Sequence, residues 1–142
     1  MAAITRGKTH VHPITITLRA SVVGLTLATA AIHASLGGLL FMANAAGYTI
    51  LAIAMVIPGP VGKWRWLIRL ALIGFTAATI GGWVAFGPRF GLAYLDKAIE
   101  VAVIGLLLIE QWQSDGGPVG VYRRVRGLVR GVGAATFARN AR

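Results

Sequence analysis

The chain has 142 residues, 56% of them hydrophobic and only 13% charged, a balance that excludes an ordinary soluble domain of this size. It has no cysteine, so disulfides, thiolate metal sites, iron–sulfur clusters and cysteine nucleophiles are excluded together. A formal charge of +10 suits nucleic acid as well as a membrane, and in so apolar a chain membrane topology is the first explanation to test.

Residues 1–19 form a basic N-terminal tail containing Arg6, Lys8, His10, His12 and Arg19. His10 and His12, two residues apart before Pro13, suit a solvated tail better than a transition-metal site. An uncharged run at 20–36 follows, and a helix needs about 20 such residues to cross the hydrocarbon. Gly37 and Gly38 interrupt it. A second run, 39–57, ends at Pro58-Gly59-Pro60, which cannot continue a helix. The third run, 66–86, has Arg69 one turn inside its start and closes at Gly87-Pro88. The fourth, 92–112, precedes Ser114-Asp115-Gly116-Gly117-Pro118.

Sorting the 14 basic residues by these span ends places Arg89 and Lys97 on one side. The other twelve, among them Arg19, Lys63, Arg65, Arg69 and six arginines after residue 122, fall on the opposite side. Basic residues accumulate on the cytoplasmic side, so both termini are expected there. Trp64, Trp66, Trp83 and Trp112 fall near span ends, where indole rings anchor well. A basic start, an apolar run and Ala31-Ile32-His33-Ala34 also outline a cleaved leader, but a histidine fits that small-residue motif poorly.

Lipid tails are as apolar as leucine, so membrane helices associate through close packing of small residues. Ala20, Gly24 and Ala28 recur at intervals of four, as do Ala43 and Gly47, and Gly74, Ala78 and Gly82. Each set forms a smooth stripe on one helix face, expected to serve packing.

Chemistry is sought in the polar residues at membrane depth, because an ionised side chain there costs a few kcal/mol. The candidates are His33, Asn44, Tyr48, Asp96 and Glu100, with Asp96 and Glu100 one turn apart on the fourth span and Lys97 able to pair with Glu100. Their depths permit convergence from three helices in the outer half of the bilayer, with Thr76 and Thr79 deeper. In the structural reading Asp96 pairs with Arg89 or Lys97, while Glu100 and His33 fix helix packing. In a functional one, an acid with a histidine partner relays protons or holds a cation. In another, His33 is an axial ligand for haem or a chlorophyll-type ring. His10 and His12 lie across the membrane from His33 and cannot serve as its partner on one ring.

From Val119 the chain becomes arginine-rich. Val121, Val125, Leu128, Val129 and Val132 share one helical face and Arg123, Arg126 and Arg130 another, a pattern that suits a helix on the anionic leaflet, with Arg124 adding to the charge. Gly127, Gly131 and Gly133 weaken that helix. RNA binding is disfavoured because no aromatic platform accompanies the charges. No Walker loop, His-Glu-x-x-His, Gly-x-Ser-x-Gly or dinucleotide fingerprint is present.

The segment from His33 through Gly37-Gly38, Asn44 and Tyr48, together with Tyr94-Leu95-Asp96-Lys97-Ala98-Ile99-Glu100-Val101, resembles a family of small prokaryotic four-helix membrane proteins of uncharacterised function. The resemblance implies four spans and carries no activity or cofactor. The expectation is an all-α, integral membrane four-helix bundle over 20–113 between two basic cytoplasmic tails, 1–19 and 114–142, in a prokaryotic cytoplasmic membrane. Its expected role is that of a non-enzymatic accessory or interaction subunit. Its expected partners are anionic lipids and other membrane proteins or further copies, with no nucleic acid. The alternatives are a proton or ion pathway through Glu100, Asp96 and His33, and pigment or haem binding through His33.

Overall fold

The computed structural model describes residues 13–140, without the side chains of 13, 60, 61 and 131–140. His10, His12, Arg6, Lys8 and Arg142 therefore lie outside the described residues, as do the side chains of Val132 and Arg139. The chain is all-helical: α1 (Pro13–Leu36), α2 (Leu39–Val56), a 3-10 turn (Gly59–Trp64), α3 (Arg65–Phe86), α4 (Gly91–Asp115) and α5 (Gly117–Asn140).

The breaks follow local chemistry. α1 opens on a proline, whose missing N–H costs nothing in the first turn. It stops where Gly37 and Gly38 take φ values of 67° and 80°, a left-handed region that glycine enters without penalty, and the chain reverses into α2. α2 ends at Ile57, which the following Pro58 forces into an extended conformation (φ −61°, ψ 124°). α4 runs through Asp115 and is capped by Gly116 in the left-handed conformation.

α1 packs against α2 and α4, and α3 closes the square by packing against the same two helices; α5 touches α4. Three segments, Ile14–Leu36, Leu39–Val56 and Gly62–Phe86, are long and apolar enough to cross a membrane. By length and composition these three helices mark a multi-pass membrane protein, while α4 carries Asp96, Lys97, Glu100, Glu110 and Asp115 and falls outside that class.

Burial is inverted relative to a water-soluble bundle. On α4 the buried positions are Ala93, Asp96, Glu100, Val103, Leu107, Glu110 and Gln111, a three-and-four spacing that puts three carboxylates on the inward face. Its outward face carries Leu92, Leu95, Val101, Leu108, Ile109 and Trp112. The same inversion holds on α1, where Thr26, Thr29 and His33 are buried and Leu27 is exposed, and on α3, where Arg69 and Thr76 are buried and Leu67 and Val84 are exposed. Water would penalise such a surface; hydrocarbon favours it.

The apolar core is a layer of Val22, Tyr48, Met55, Leu72, Val103 and Leu107 with Ala30, flanked by Leu51, Ile68, Ile73 and Phe75. Most of the small-residue stripes do not take part in it. A Cβ placed on Gly24, Gly74 or Gly82 would have no neighbour within 4 Å, so none of the three makes a close helix–helix contact; Gly82 borders open space between helices. Gly47 is the exception, since a Cβ there would lie 2.6 Å from Phe75 Cζ, and its absence lets α2 and α3 close on each other. Of the glycines in the three stripes expected to pack the bundle, Gly47 makes a close contact and Gly24, Gly74 and Gly82 do not.

Candidate functional site

The buried face of α4 meets α1 and α2 at a polar cluster. Asp96 and Glu100, one turn apart, project between His33 of α1, Tyr48 of α2 and Thr79 of α3. The Glu100 Oε1 atom accepts from the Tyr48 hydroxyl at 2.8 Å and from the Thr79 hydroxyl at 3.0 Å. Asp96 Oδ1 accepts from the Thr29 hydroxyl. The Lys97 ammonium bridges the remaining oxygens, 3.0 Å from Asp96 Oδ2 and 2.6 Å from Glu100 Oε2. All four carboxylate oxygens are thereby occupied by donors, as burial demands.

His33 is enclosed by the same groups. Its Nδ1 lies 2.9 Å from the Thr29 carbonyl oxygen, which makes Nδ1 the donor. Nδ1 is also 3.6 Å from Asp96 Oδ1, and Nε2 lies 3.9 Å from Glu100 Oε1. The imidazole is 5.5 Å from the Tyr48 ring and 6.0 Å from that of Phe41, and Phe75 meets Tyr48 edge-on at 4.9 Å. His33, Asp96 and Glu100 each offer a ligand atom within 4.8 Å of the others, a spacing that a metal ion accepts. Lys97 already supplies the cationic charge that this pair of carboxylates requires.

The cluster forms the floor of a cleft of about 450 Å³. His33, Asn44, Thr79, Asp96 and Lys97 contribute its polar lining, and Phe41, Phe75, Trp83, Phe86 and Phe90 its aromatic walls. Phe86 is 93% exposed and Leu40 71%, so they mark the rim. Trp83 is held there by donation of its Nε1 to the Pro88 carbonyl at 2.9 Å, and the Arg89 guanidinium lies 4.1 Å from its ring centre.

A second polar assembly occupies the other end of the bundle. Arg69 of α3, 3% exposed, donates to Glu110 Oε1 at 3.1 Å, to Gln111 Oε1 at 3.1 Å and to Asp115. Arg19 of α1 reaches the same Glu110 oxygen at 3.2 Å, and Arg124 of α5 lies 2.7 Å from Asp115 Oδ1. One network therefore ties α1, α3, α4 and α5.

Of the residues singled out from sequence, His33, Tyr48, Asp96 and Glu100 come together, and Asn44 lines the cleft beside them. Thr79 is a member of the cluster rather than a deeper residue, because it bonds Glu100 directly. Lys97 is the partner of Asp96; Arg89 instead stacks on Trp83 and donates to the Val84 carbonyl. Arg19 and Arg69, counted as topological charges flanking spans, are ion-paired inside the bundle. Glu110 and Gln111 were missed, although Glu110 continues the inward spacing of Asp96, Glu100 and Val103 and was one of only four acids to place. Arg123, Arg126 and Arg130 are exposed along α5, as are Tyr122, Val125, Leu128 and Val129.

The chain matches no protein-family model, no curated protein and no solved structure, so the resemblance of its 33–48 and 94–101 segments to small four-helix membrane proteins is not resolved to a family.

Proposed function

We propose that this is a four-span, non-enzymatic membrane protein that acts by binding an apolar small molecule in the cleft above His33, Asp96, Lys97 and Glu100. The observation that carries the reading is the convergence of five aromatic side chains on a buried polar floor whose carboxylate oxygens are all hydrogen-bonded, the form that small-molecule sites take. Such a binding role is compatible with an accessory subunit of a larger membrane assembly, the role expected from sequence.

The fourth span is supported by α4 itself: its charges face inward in ion pairs and its outward face carries large apolar side chains from Leu92 to Trp112, about 30 Å of helix. With four spans, the arginine-rich end and α5 lie on the cytoplasmic side of a prokaryotic membrane and the cleft opens toward the other, as the distribution of basic residues favours. The exposed apolar and basic residues of α5 then meet the anionic leaflet.

The pathway alternative is weakened by the apolar layer of Val22, Met55, Leu72, Val103 and Leu107 between the two polar assemblies. Donation of His33 Nδ1 to the Thr29 carbonyl is compatible with axial ligation through Nε2; the pigment alternative is weakened by the place of Nε2, buried 3.9 Å from the Glu100 carboxylate.

The test is an inventory of apolar small molecules that co-purify with the full chain from its native membrane, set against a cleft-filling variant. Gly82 lines the cleft and has open space around its Cβ position, so Gly82→Leu adds bulk without an internal clash. A compound retained by the native chain and lost from Gly82→Leu is the expected result. Identical inventories, with no compound enriched over bulk lipid, would defeat the proposal.

A further inference from the structure

Resting on the cleft as a binding site, we infer that its occupant is a neutral amphiphile that presents a hydrogen-bond-accepting oxygen, of carbonyl type, to Lys97. Three features of the floor decide the head group. The Lys97 ammonium is flanked by Asp96 and Glu100, so an anionic head that reached it, whether carboxylate or phosphate, would also lie against both carboxylates in a setting that screens charge poorly. A cationic head meets the Lys97 ammonium, which lies between the two carboxylates and itself lines the cleft, and would have to share oxygens that already accept from Thr29, Tyr48, Thr79 or Lys97. Arg89 already covers a face of Trp83, an aromatic position that a cation would otherwise occupy.

What the floor can offer is a donor. An ammonium has three N–H groups, and the two carboxylates take one each from Lys97, which itself lines the cleft. The third is available to an oxygen acceptor, and Asn44 adds an amide on the same lining. Above these groups Phe41, Phe75, Trp83, Phe86 and Phe90 suit a ring or a hydrocarbon body.

The experiment is a binding titration on the full chain in lipid nanodiscs, with probe amounts expressed per lipid and tryptophan fluorescence as the readout; Trp83→Phe identifies the signal from the cleft. The probes share an apolar body of similar length and differ in the head: decanophenone, decylbenzene, decanoate and decyltrimethylammonium. The ketone is expected to bind roughly tenfold more tightly than the other three, the difference that one hydrogen bond from a charged donor makes. In Lys97→Met its advantage over decylbenzene should vanish while decylbenzene binding persists.

Tightest binding of the anion or the cation would overturn the head-group inference and leave the cleft as a site. Equal binding of ketone and decylbenzene by the native chain would do the same, and this comparison needs no variant to fold. A ketone advantage that survives in folded Lys97→Met would remove Lys97 as the donor. Failure of all four probes to bind would instead defeat the cleft reading on which the inference rests.

Discussion

Glu100 and Glu110 are both fully buried on one face of α4, yet no polar line joins them. They stand ten residues apart, about 15 Å along the helix, with Val103 and Leu107 between them and Val22, Met55 and Leu72 closing the layer from the other three helices. A proton relay needs hydrogen-bonding groups or water at each step, and these five side chains supply no such group; the nearest buried hydroxyls, of Thr26 and Thr76, lie one turn beyond Val22 and Leu72. Proteoliposomes of the native chain should therefore show the same proton flux under a pH gradient as empty vesicles. Glu100→Gln should leave that flux unchanged. A leak abolished by Glu100→Gln would restore the pathway reading.

At the opposite end Arg69 donates to Glu110, Gln111 and Asp115 together, while Glu110 Oε2 and Gln111 Nε2 are buried without a hydrogen-bond partner. Removing one member of a buried ion pair costs about 3–5 kcal/mol where the partner is left alone; here Arg19 and Arg124 still reach Glu110 and Asp115, which lowers the cost without removing it. Arg69→Met should accordingly lower the thermal unfolding midpoint in detergent far more than Arg123→Met, whose side chain is exposed. Adding Glu110→Gln to Arg69→Met should recover part of the loss. Equal midpoints for the Arg69 and Arg123 variants would show that the network contributes nothing.

Tyr48 and Thr79 donate to the same oxygen of Glu100. Each of Tyr48→Phe and Thr79→Val removes a hydroxyl within reach of a carboxylate, so each should cost about 1.5–3 kcal/mol. Because the two hydroxyls also lie 2.7 Å from each other, their effects should not add. Equilibrium unfolding of both single variants and the double variant measures the coupling, and simple additivity would mean that the shared contact is not formed.

The absence of native cysteine makes topology directly measurable. With four spans, Ser35→Cys at the α1–α2 turn and Ser114→Cys at the end of α4 lie on opposite faces of the membrane. A membrane-impermeant maleimide applied to intact cells should label Ser35→Cys alone and reach Ser114→Cys only after permeabilisation. Labelling of both from the same side would mean that α4 does not cross.

Much of this was legible in the linear chain. The apolar runs and their Gly and Pro breaks gave helix limits within a few residues for α2 and α3, because those residues act on the local backbone regardless of what surrounds it. α1 and α4 extend beyond the runs 20–36 and 92–112, to Pro13 and Asp115, and Arg19 and Asp115, which lie outside those runs, are ion-paired members of the bundle. Spacing also placed Asp96 and Glu100 on one face and His33, Asn44 and Tyr48 at matching depth.

By itself, then, the sequence determined where the chain is helical, that its helices seek hydrocarbon, and how deep each polar group lies, since all three depend on hydropathy and on rise per residue along a single helix. Only the tertiary structure decided which polar groups meet. The rotation of each helix about its axis turns Gly24 and Gly74 outward, sends Lys97 rather than Arg89 to Asp96, and joins Arg69 to Glu110. That rotation is set by packing against neighbours far away in sequence, where helices associate by side-chain fit and buried hydrogen bonds rather than by any pattern confined to one of them.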